Sequence, residues 1–365
     1  MKPRERVLTA IDHREPDRVP LDFGGTGVSS ASEEMQLKIR QVLGLTAPRD
    51  PRFRYFDNVI QEYFNCDLRQ IGMRGPRHFT PRQDAKGRWL DEWGVHDYND
   101  SAVNPLRYAT IEDLSKYPWP NPYDPGRIEG LKEEAKFLHT QTDYAIAANA
   151  PAMGFFESGC RLRGYDQLLL DFATDQDFIR AFFDKQLELM SGFVDIYLGE
   201  IGDYIDIIWL GDDACTQRGP YINPKMYRQL VKPYFAEYIR RIKKYTSARI
   251  MHHCCGACSV LMPDYLDIGI QIMTPSQPEA EGMQPERLKR LYGERMTFHG
   301  GIGLQHVLPR GTPAEIKANV SNVAHTLGKG GGYILAAAHT PPDDVPTENI
   351  IAMLETAREL SYPLL

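Results

Sequence analysis

Short apolar stretches alternate with longer stretches of helical periodicity along most of this chain, and that alternation constrains its fold more than any other feature. The apolar stretches are bounded by glycine, proline or polar residues, as buried strands usually are. They predict eight strands, at residues 19–24, 67–72, 144–148, 205–210, 249–253, 269–273, 296–299 and 332–336. The helical pattern predicts helices at residues 2–13, 33–43, 56–64, 126–139, 155–170, 175–198, 224–245, 260–266, 285–292, 313–327 and 346–360.

Strands that alternate with helices pair in parallel through right-handed crossovers, and eight of them can close into a barrel. The sequence therefore predicts an α/β fold, a (β/α)8 TIM barrel with an N-terminal helical extension. A doubly wound open sheet is the alternative. Its usual Gly-x-Gly-x-x-Gly turn after the first strand is missing, because the glycine-rich stretches 300–303 and 328–332 come late in the chain and have other spacings.

Residues 74–122 interrupt the alternation. This stretch is rich in proline, asparagine, aspartate, arginine and aromatic residues, and it lacks apolar periodicity. Long segments of this kind in compact domains often serve as lids over functional sites. We expect a single barrel domain at residues 1–365, with 74–122 inserted as a lid whose aromatic side chains shape the entrance: Trp89, Trp93 and Tyr98.

The composition limits where the protein works and what it binds. The formal net charge is −7 and no block of lysine and arginine is present, so a nucleic-acid groove is not expected. No apolar run approaches the roughly 18 residues that span a bilayer, and no secretory signal follows Met1. Six scattered cysteines do not resemble a disulfide framework, which predicts a reducing, cytoplasmic location. Small molecules and protein partners, including a second copy in a homodimer, remain open.

Residues 249–258 hold three of the six cysteines and two of the ten histidines. On a strand, side chains two residues apart point the same way, so His253 and Cys255 project together while His252 and Cys254 face the other side. Imidazole and thiolate are ligand types that zinc prefers, and a catalytic zinc needs one more protein ligand and an open position. The motif therefore predicts a zinc site that takes its third ligand from elsewhere in the chain.

Two other interpretations of these cysteines stay open. Cysteine is among the most buried residue types, so adjacent cysteines also occur as core residues behind a loop. The spacing Cys255-Gly-Ala-Cys258 also fits a redox pair, although the surrounding sequence lacks the short βαβ context of thioredoxin-like proteins.

Polar residues follow the predicted strands at the end where barrel active sites lie. Asp212 and Glu157 are the candidate catalytic acid or base, since a positioned carboxyl group can exchange a proton with a substrate. Acidic pairs before a helix also serve as N-caps, which gives Asp212 and Asp213 a structural explanation too. His339, after the last strand, is the candidate third zinc ligand, with Glu157 and Cys258 as alternatives. The candidate substrate-binding residues are Asp22, Asp213, Gln217, Gln277 and His299.

Several motifs, spread over nearly the whole chain, resemble the uroporphyrinogen decarboxylase superfamily. They are Pro16-Asp-Arg-Val-Pro-Leu-Asp-Phe-Gly24, Tyr117-Pro-Trp-Pro120, Gly211-Asp-Asp-Ala-Cys-Thr-Gln217, Pro224-Lys-Met-Tyr227, Lys232-Pro-Tyr234, His253-Cys-Cys-Gly256, Phe298-His-Gly-Gly-Ile302, Gly331-Gly-Tyr-Ile-Leu335 and Val345-Pro-Thr-Glu-Asn349. The superfamily fold is a (β/α)8 barrel, in agreement with the strand count. Its tetrapyrrole decarboxylases grip substrate carboxylates through an N-terminal Arg-Gln-Ala-Gly-Arg signature, and this chain has Asp22-Phe-Gly-Gly-Thr26 near that place instead.

The His-x-Cys-Gly signature resembles the corrinoid-dependent methyltransferase branch, in which the signature histidine and cysteine bind zinc together with a cysteine after the last strand. The resemblance implies zinc bound by His253 and Cys255. At the third position this chain has His339, and it has Gly303 where relatives usually have aspartate. Corrinoid-carrying modules usually show Asp-x-His-x-x-Gly, which this chain lacks, so the resemblance implies a corrinoid (methylcobalamin) carried by a partner protein.

Together these features predict a zinc-dependent methyltransferase that moves a methyl group between a corrinoid and a small substrate, such as a methyl ether or a thiol, with O-demethylation as one such reaction. Zinc would act as a Lewis acid on the thiol or on the ether oxygen. A metal-free decarboxylase and a non-catalytic corrinoid- or tetrapyrrole-binding barrel are the alternatives. The zinc content of the purified protein distinguishes the first function from the other two.

Overall fold

The computed structural model describes residues 1–96 and 104–364. In chain order the strands are β1 Leu68–Ile71, β2 Arg82–Gln83, β3 Trp89–Leu90, β4 Ala145–Ala148, β5 Ile207–Gly211, β6 Arg249–His253, β7 Ile272–Thr274, β8 Thr297–Ile302 and β9 Tyr333–Ala337. The α-helices are α1 Pro3–Ile11, α2 Glu33–Leu43, α3 Asn58–Tyr63, α4 Ile111–Leu114, α5 Leu131–Gln141, α6 Phe155–Arg163, α7 Tyr165–Thr174, α8 Gln176–Ile201, α9 Pro224–Leu230, α10 Lys232–Ile242, α11 Met262–Ile268, α12 Pro285–Tyr292, α13 Val307–Arg310, α14 Pro313–Gly328 and α15 Thr347–Glu359.

Seven strands form one parallel sheet in the order β1-β4-β5-β6-β7-β8-β9, with helices joining successive strands. All residues of β1, β4, β8 and β9 are buried, because helices cover the outside of the sheet and side chains fill its inside. β2 and β3 pair separately, as an antiparallel hairpin within residues 74–122. The predicted α/β fold of parallel strands and crossover helices is therefore confirmed.

The segment predicted as the first strand, residues 19–24, forms one isolated bridge, at Leu21, instead of a regular strand. Leu21 makes a parallel bridge to Leu335 in β9, and the Leu335 amide donates to the Pro20 carbonyl at 2.8 Å. On the other side, the Asp67 amide, just before β1, donates to the Leu21 carbonyl at 2.9 Å. Leu21 thus connects the two edges of the seven-stranded sheet and closes it into a barrel of the (β/α)8 kind.

The predicted N-terminal extension is α1, and it lies against the amino ends of the strands. Val7 and Ile11 of α1 belong to the apolar cluster that fills the inside of the barrel. The Thr297 hydroxyl, at the start of β8, donates to the Ile11 carbonyl at 3.3 Å. Burying aliphatic side chains of this size stabilises a fold by about 1.5–3 kcal/mol each. The helix therefore seals the end of the barrel opposite the loops that follow the strands.

Two long helices predicted from periodicity are each two helices in the structure. The predicted helix 155–170 breaks at Gly164, whose φ of 89° lies in a region that other residues avoid. The predicted helix 224–245 breaks at Val231, because α10 begins with a proline at its second position, Pro233. Among the described residues, none of the helices has the length and apolarity needed to cross a membrane.

Candidate metal centre

Strand β6 carries the centre of the site. Met251 belongs to the cluster that fills the barrel, so His253, two residues further on, also faces inside. His253 Nε2 lies 3.3 Å from Sγ of Cys255, in the loop that follows. His252 faces the surrounding helices instead, and its ring centroid lies 4.5 Å from that of Tyr265. The two-residue period of the strand therefore separates His253 and Cys255 from their neighbours.

His339 joins this pair from the loop after β9. Its ring centroid lies 5.3 Å from that of His253. One ligand atom from each of His253, Cys255 and His339 lies within 4.8 Å of the other two. The two alternative ligands lie outside this group, since Cys258 is buried with its Sγ 3.9 Å from Met283 Sδ and Glu157 lines a neighbouring cavity.

The donor set suits a zinc ion. Two imidazoles and one thiolate are ligands of catalytic zinc sites, and three protein ligands leave a position open for water or substrate. Burial lowers the pKa of His253 and of His339 to about 4, so both rings are neutral near pH 7 and offer a lone pair. Burial raises the pKa of the Cys255 thiol, so its thiolate needs a cation beside it, which a bound metal supplies.

Asp213 contacts two members of this group. Its Oδ1 atom accepts a hydrogen bond from the Cys255 amide at 2.7 Å and lies 3.4 Å from His253 Nε2. Burial raises the pKa of the Asp213 carboxyl to about 7. Asp213 thereby holds the loop that carries Cys255, and its side chain stays partly exposed beside the candidate metal position.

Asp212, predicted as a catalytic acid or base, bonds to the amino end of α6, a helix of the preceding βα unit. Its Oδ1 atom accepts a hydrogen bond from the Glu157 amide at 2.8 Å, in the first turn of α6. The side chain is buried, and burial raises the pKa of its carboxyl group. The alternative explanation, an N-cap for the helix that follows the pair, is not what the structure has: Asn223 caps that helix, and Asp212 accepts a backbone hydrogen bond from α6, whose own N-cap residue is Gly154.

Asp22 and His299, predicted to bind substrate, bond to each other inside the barrel. Asp22 Oδ2 and His299 Nε2 are 2.8 Å apart, and His299 Nδ1 lies 2.9 Å from the Thr274 hydroxyl. The other carboxylate oxygen of Asp22 accepts from the Gly25 amide at 2.8 Å. Neither residue has appreciable exposed surface, and His299 is close enough to His253 to affect its pKa; a substrate-binding role for the pair stays a prediction.

The two predicted glutamines, Gln217 and Gln277, meet at the rim of the barrel, and Gln305 joins them. Gln305 was not among the predicted site residues because the seventh predicted strand ended at residue 299. The structure continues β8 to Ile302 and so brings the next loop to the same rim. A longer strand prediction through Gly300-Gly-Ile302 would have found it.

A cavity of about 270 Å³ opens beside the metal group. Glu157 lines it, and so does Trp209, whose ring centroid is 5.7 Å from that of His253. Arg161 also lines it and pairs with Asp91 of the 74–122 segment at 3.1 Å. Trp209 was not among the predicted site residues because it lies within a strand rather than after one. The remaining lining residues are mostly apolar: Trp93, Val95, Ala150, Pro151, Ala152, Met153, Ser158, Leu162 and Gly211.

Gly303, the position at which the family resemblance implied an aspartate, has a carboxylate next to it. A Cβ atom at Gly303 would lie 2.2 Å from Oε1 of Glu279. Glu279 Oε1 also accepts a hydrogen bond from the backbone amide of Gln305 at 3.3 Å. An acidic group from the loop after β7 therefore occupies the space that a side chain at position 303 would need.

Replacing Gly256 by alanine is expected to weaken metal binding at least tenfold. Gly256 has a φ of +85°, and an added Cβ would lie 2.4 Å from the Thr216 carbonyl oxygen, so the loop bearing Cys255 must move. Zinc affinity measured by chelator competition checks this. The matched control is Gly44→Ala, which has a φ of +65° and open space around it. It should cost about 1–2 kcal/mol of strain and leave zinc affinity unchanged. Equal zinc affinities in the two variants would contradict the prediction.

The fold and the site together define an α/β-barrel protein with a His-Cys-His group at the carboxyl end of its parallel strands. A sequence model of the uroporphyrinogen decarboxylase (URO-D) family matches residues 98–360. The chain therefore belongs to the uroporphyrinogen decarboxylase family, as its motifs predicted. No curated protein sequence matches the chain.

Solved structures of similar shape include a methyltransferase from Methanosarcina mazei, at 17% identity and a TM-score of 0.63, covering 98% of this chain and 99% of that one. A candidate vitamin-B12-independent methionine synthase from Listeria monocytogenes has 14% identity and a TM-score of 0.41, with 93% and 97% covered. A β-glucosidase from Pyrococcus furiosus has 11% identity and a TM-score of 0.43, with 96% and 98% covered. The first likeness shows a shared fold.

Proposed function

We propose that this protein is a zinc-dependent methyltransferase that moves a methyl group between a small substrate and a corrinoid carried by a partner protein. The observation that carries the proposal is the group of His253, Cys255 and His339 at the barrel mouth, whose ligand atoms lie within 4.8 Å of one another. Membership of the uroporphyrinogen decarboxylase family and the shared fold with a Methanosarcina mazei methyltransferase support it.

In this proposal the side chains around the site have separate roles in metal binding, in positioning and in exclusion of water. Zinc, when bound, would supply a Lewis acid that activates a thiol for methyl uptake or polarises a methyl ether oxygen. His253 and His339 present neutral imidazoles, and Asp213 holds the Cys255 backbone in place. The apolar wall of the adjacent cavity keeps water from the substrate.

Glu157 is the group we assign to proton transfer, because its side chain lines the cavity. Asp212 acts through it, as a positioning residue, since its carboxylate fixes the backbone of Glu157 at the start of α6. The corrinoid would supply the cobalt chemistry of the methyl group. A separate corrinoid protein is part of the proposal because the chain lacks the Asp-x-His-x-x-Gly motif. A cytoplasmic location belongs to it too, since all six cysteines are free thiols.

Residues 74–122 form a lid over the cavity in this proposal. Trp93 and Val95 of that segment line the cavity. An ion pair between Glu92 and the buried Arg127 fastens the segment next to Trp93, whose ring centroid lies 6.1 Å from that of Phe193 in α8. Tyr98, the third aromatic residue assigned to the lid, falls outside the described residues.

Removing the Trp93 side chain is expected to raise the KM for the methylated substrate about tenfold, because the cavity loses one apolar wall. Steady-state kinetics of Trp93→Ala measure it. The matched control is Trp89→Ala, in the same segment, where the side chain is largely exposed. A KM change of the same size in both variants would show that the cavity wall is not responsible.

A metal-free decarboxylase is the second candidate, and the family match favours it. Such an enzyme would have to bind several substrate carboxylates. Among the described residues that line the cavity, Arg161 is the single cationic side chain, and it is paired with Asp91, while the carboxylate of Glu157 lies in the same wall. This charge pattern supports a substrate without many carboxylates, and therefore the methyltransferase.

One experiment tests the proposal against this alternative. The purified protein is reconstituted with zinc, and three quantities are measured: bound metal, methyl transfer between methylcobalamin and thiols or methoxylated aromatics, and carbon dioxide release from uroporphyrinogen. About one equivalent of zinc together with methyl transfer is the expected result. Carbon dioxide release without bound zinc would establish the decarboxylase, and tetrapyrrole or corrinoid binding without turnover would establish a binding protein.

A further inference from the structure

Three glutamine side chains from different loops meet at the mouth of the barrel, and we call them the glutamine rim: Gln217 after β5, Gln277 after β7 and Gln305 after β8. The side-chain amide of Gln277 donates to Gln217 Oε1 at 3.1 Å, and the side-chain amide of Gln305 donates to the same oxygen at 3.2 Å. Gln217 and Gln305 are exposed. The rim is therefore a preformed surface of neutral carboxamides.

The glutamine rim adjoins the candidate metal centre directly. Gln277 Oε1 accepts a hydrogen bond from the Gly256 amide at 3.0 Å, and Gly256 follows the candidate ligand Cys255. A Cβ at Gly256 would contact the carbonyl of Thr216, next to Gln217, so the two loops touch. Any large ligand that reaches the metal position from this side of the mouth must pass over the rim.

The cavity described above lies on a different side of the metal centre. It is lined by residues of the 74–122 segment, the loop after β4, α6 and β5, and none of the three glutamines lines it. Two different surfaces therefore adjoin the metal centre, the cavity through the contact of Trp209 with His253 and the rim through Gly256. One is a cavity with mostly apolar walls, sized for a small molecule, and the other is an open rim of carboxamides.

The chemistry of the rim selects its ligand. A carboxamide offers two N–H donors and an acceptor oxygen, so it pairs best with other carboxamides and carries no net charge to attract ions. Gln217 Oε1 and Gln277 Oε1 each accept two hydrogen bonds, and N–H groups of Gln217 and Gln305 together with Gln305 Oε1 remain for a ligand. A corrin macrocycle carries acetamide and propionamide groups around its edge, and these groups match the rim.

We propose that the glutamine rim binds the carboxamide edge of the corrinoid and sets its distance from the metal centre, while the methylated substrate occupies the cavity. This inference rests on the proposed function and adds the surface on which the corrinoid lies. Gln277 has a second task as a positioning residue, because it also holds Gly256. The test therefore uses the other two glutamines.

The test measures binding of methylcobalamin to the zinc-loaded protein by quenching of tryptophan fluorescence. The double variant Gln217→Ala with Gln305→Ala is expected to bind methylcobalamin at least tenfold more weakly. Its zinc content should stay within twofold of the wild type. Gln141→Ala, at an exposed glutamine of α5, is the matched control and should bind methylcobalamin normally.

A second probe isolates the amide contacts. A methylated corrin whose side chains are all methyl esters keeps the macrocycle but has no N–H donors. The wild type should bind it at least tenfold more weakly than the amide form, and the double variant should bind both forms alike. Unchanged methylcobalamin binding in the double variant, or an equal loss for the amide and ester forms, overturns the rim proposal while zinc binding and methyl transfer leave the proposed function standing. A wild type without zinc or methyl transfer overturns the proposed function itself.

Discussion

Replacing Cys255 by alanine is expected to lower zinc affinity by more than about 100-fold and to abolish methyl transfer, while the protein stays folded. Even residues that only support metal ligands change affinity about 10- to 100-fold, and Cys255 supplies the single thiolate of a three-residue set. The barrel should survive because its core is built from aliphatic and aromatic side chains rather than around the metal. Metal analysis after dialysis, circular dichroism and a methyl-transfer assay measure the three effects.

Cys258→Ala is the matched control for this experiment. Cys258 lies three residues further along the same loop, is fully buried and contacts Met283 instead of the metal group. Its replacement leaves a small cavity and should lower stability modestly without loss of zinc. If Cys258→Ala loses the metal and Cys255→Ala keeps it, then Cys258, the alternative ligand identified from the sequence, binds the metal in place of Cys255.

His339→Ala is expected to lower zinc affinity and the rate of methyl transfer by about 10- to 100-fold or more, since it removes one of three ligands. His339→Cys should retain zinc, because a thiolate at this position is also a ligand that zinc accepts. The contrast between the two variants separates a ligand from a histidine that merely fills space. His306→Ala, at an exposed histidine of a neighbouring loop, serves as control. Unchanged zinc affinity in His339→Ala would remove His339 from the metal centre.

The parallel sheet could be predicted from local sequence because its strands are buried on both faces and therefore read as uninterrupted apolar runs. The prediction of a first strand at residues 19–24 was wrong in extent. These residues have the same apolar pattern as the true strands, but they pair only through the bridge at Leu21. A break such as the one at Gly164 depends on a backbone angle that periodicity does not report. The hydrophobic pattern of the sequence therefore predicted where the main strands and helices lie, and tertiary contacts determine the residues at which they begin and end.

The metal group was predictable for a different reason. His253 and Cys255 are close in sequence, so strand geometry alone brings their side chains together. His339 required barrel closure, which the count of strands implied. The hydrogen bond of Asp212 to the amino end of α6 could not be predicted, because the two partners are 55 residues apart and belong to different βα units. Gln305 was missed because its position depends on where β8 ends.

Helix α1 closes the barrel at the amino ends of its strands, and this affects how substrates and products can move. Val7 and Ile11 pack against the strand side chains inside the barrel, so among the described residues α1 closes the end opposite the loops that follow the strands. If the protein is the methyltransferase proposed above, both substrates enter and both products leave at the loop end of the barrel, so we expect product release to contribute to the maximal rate, which a dependence of kcat on solvent viscosity would measure.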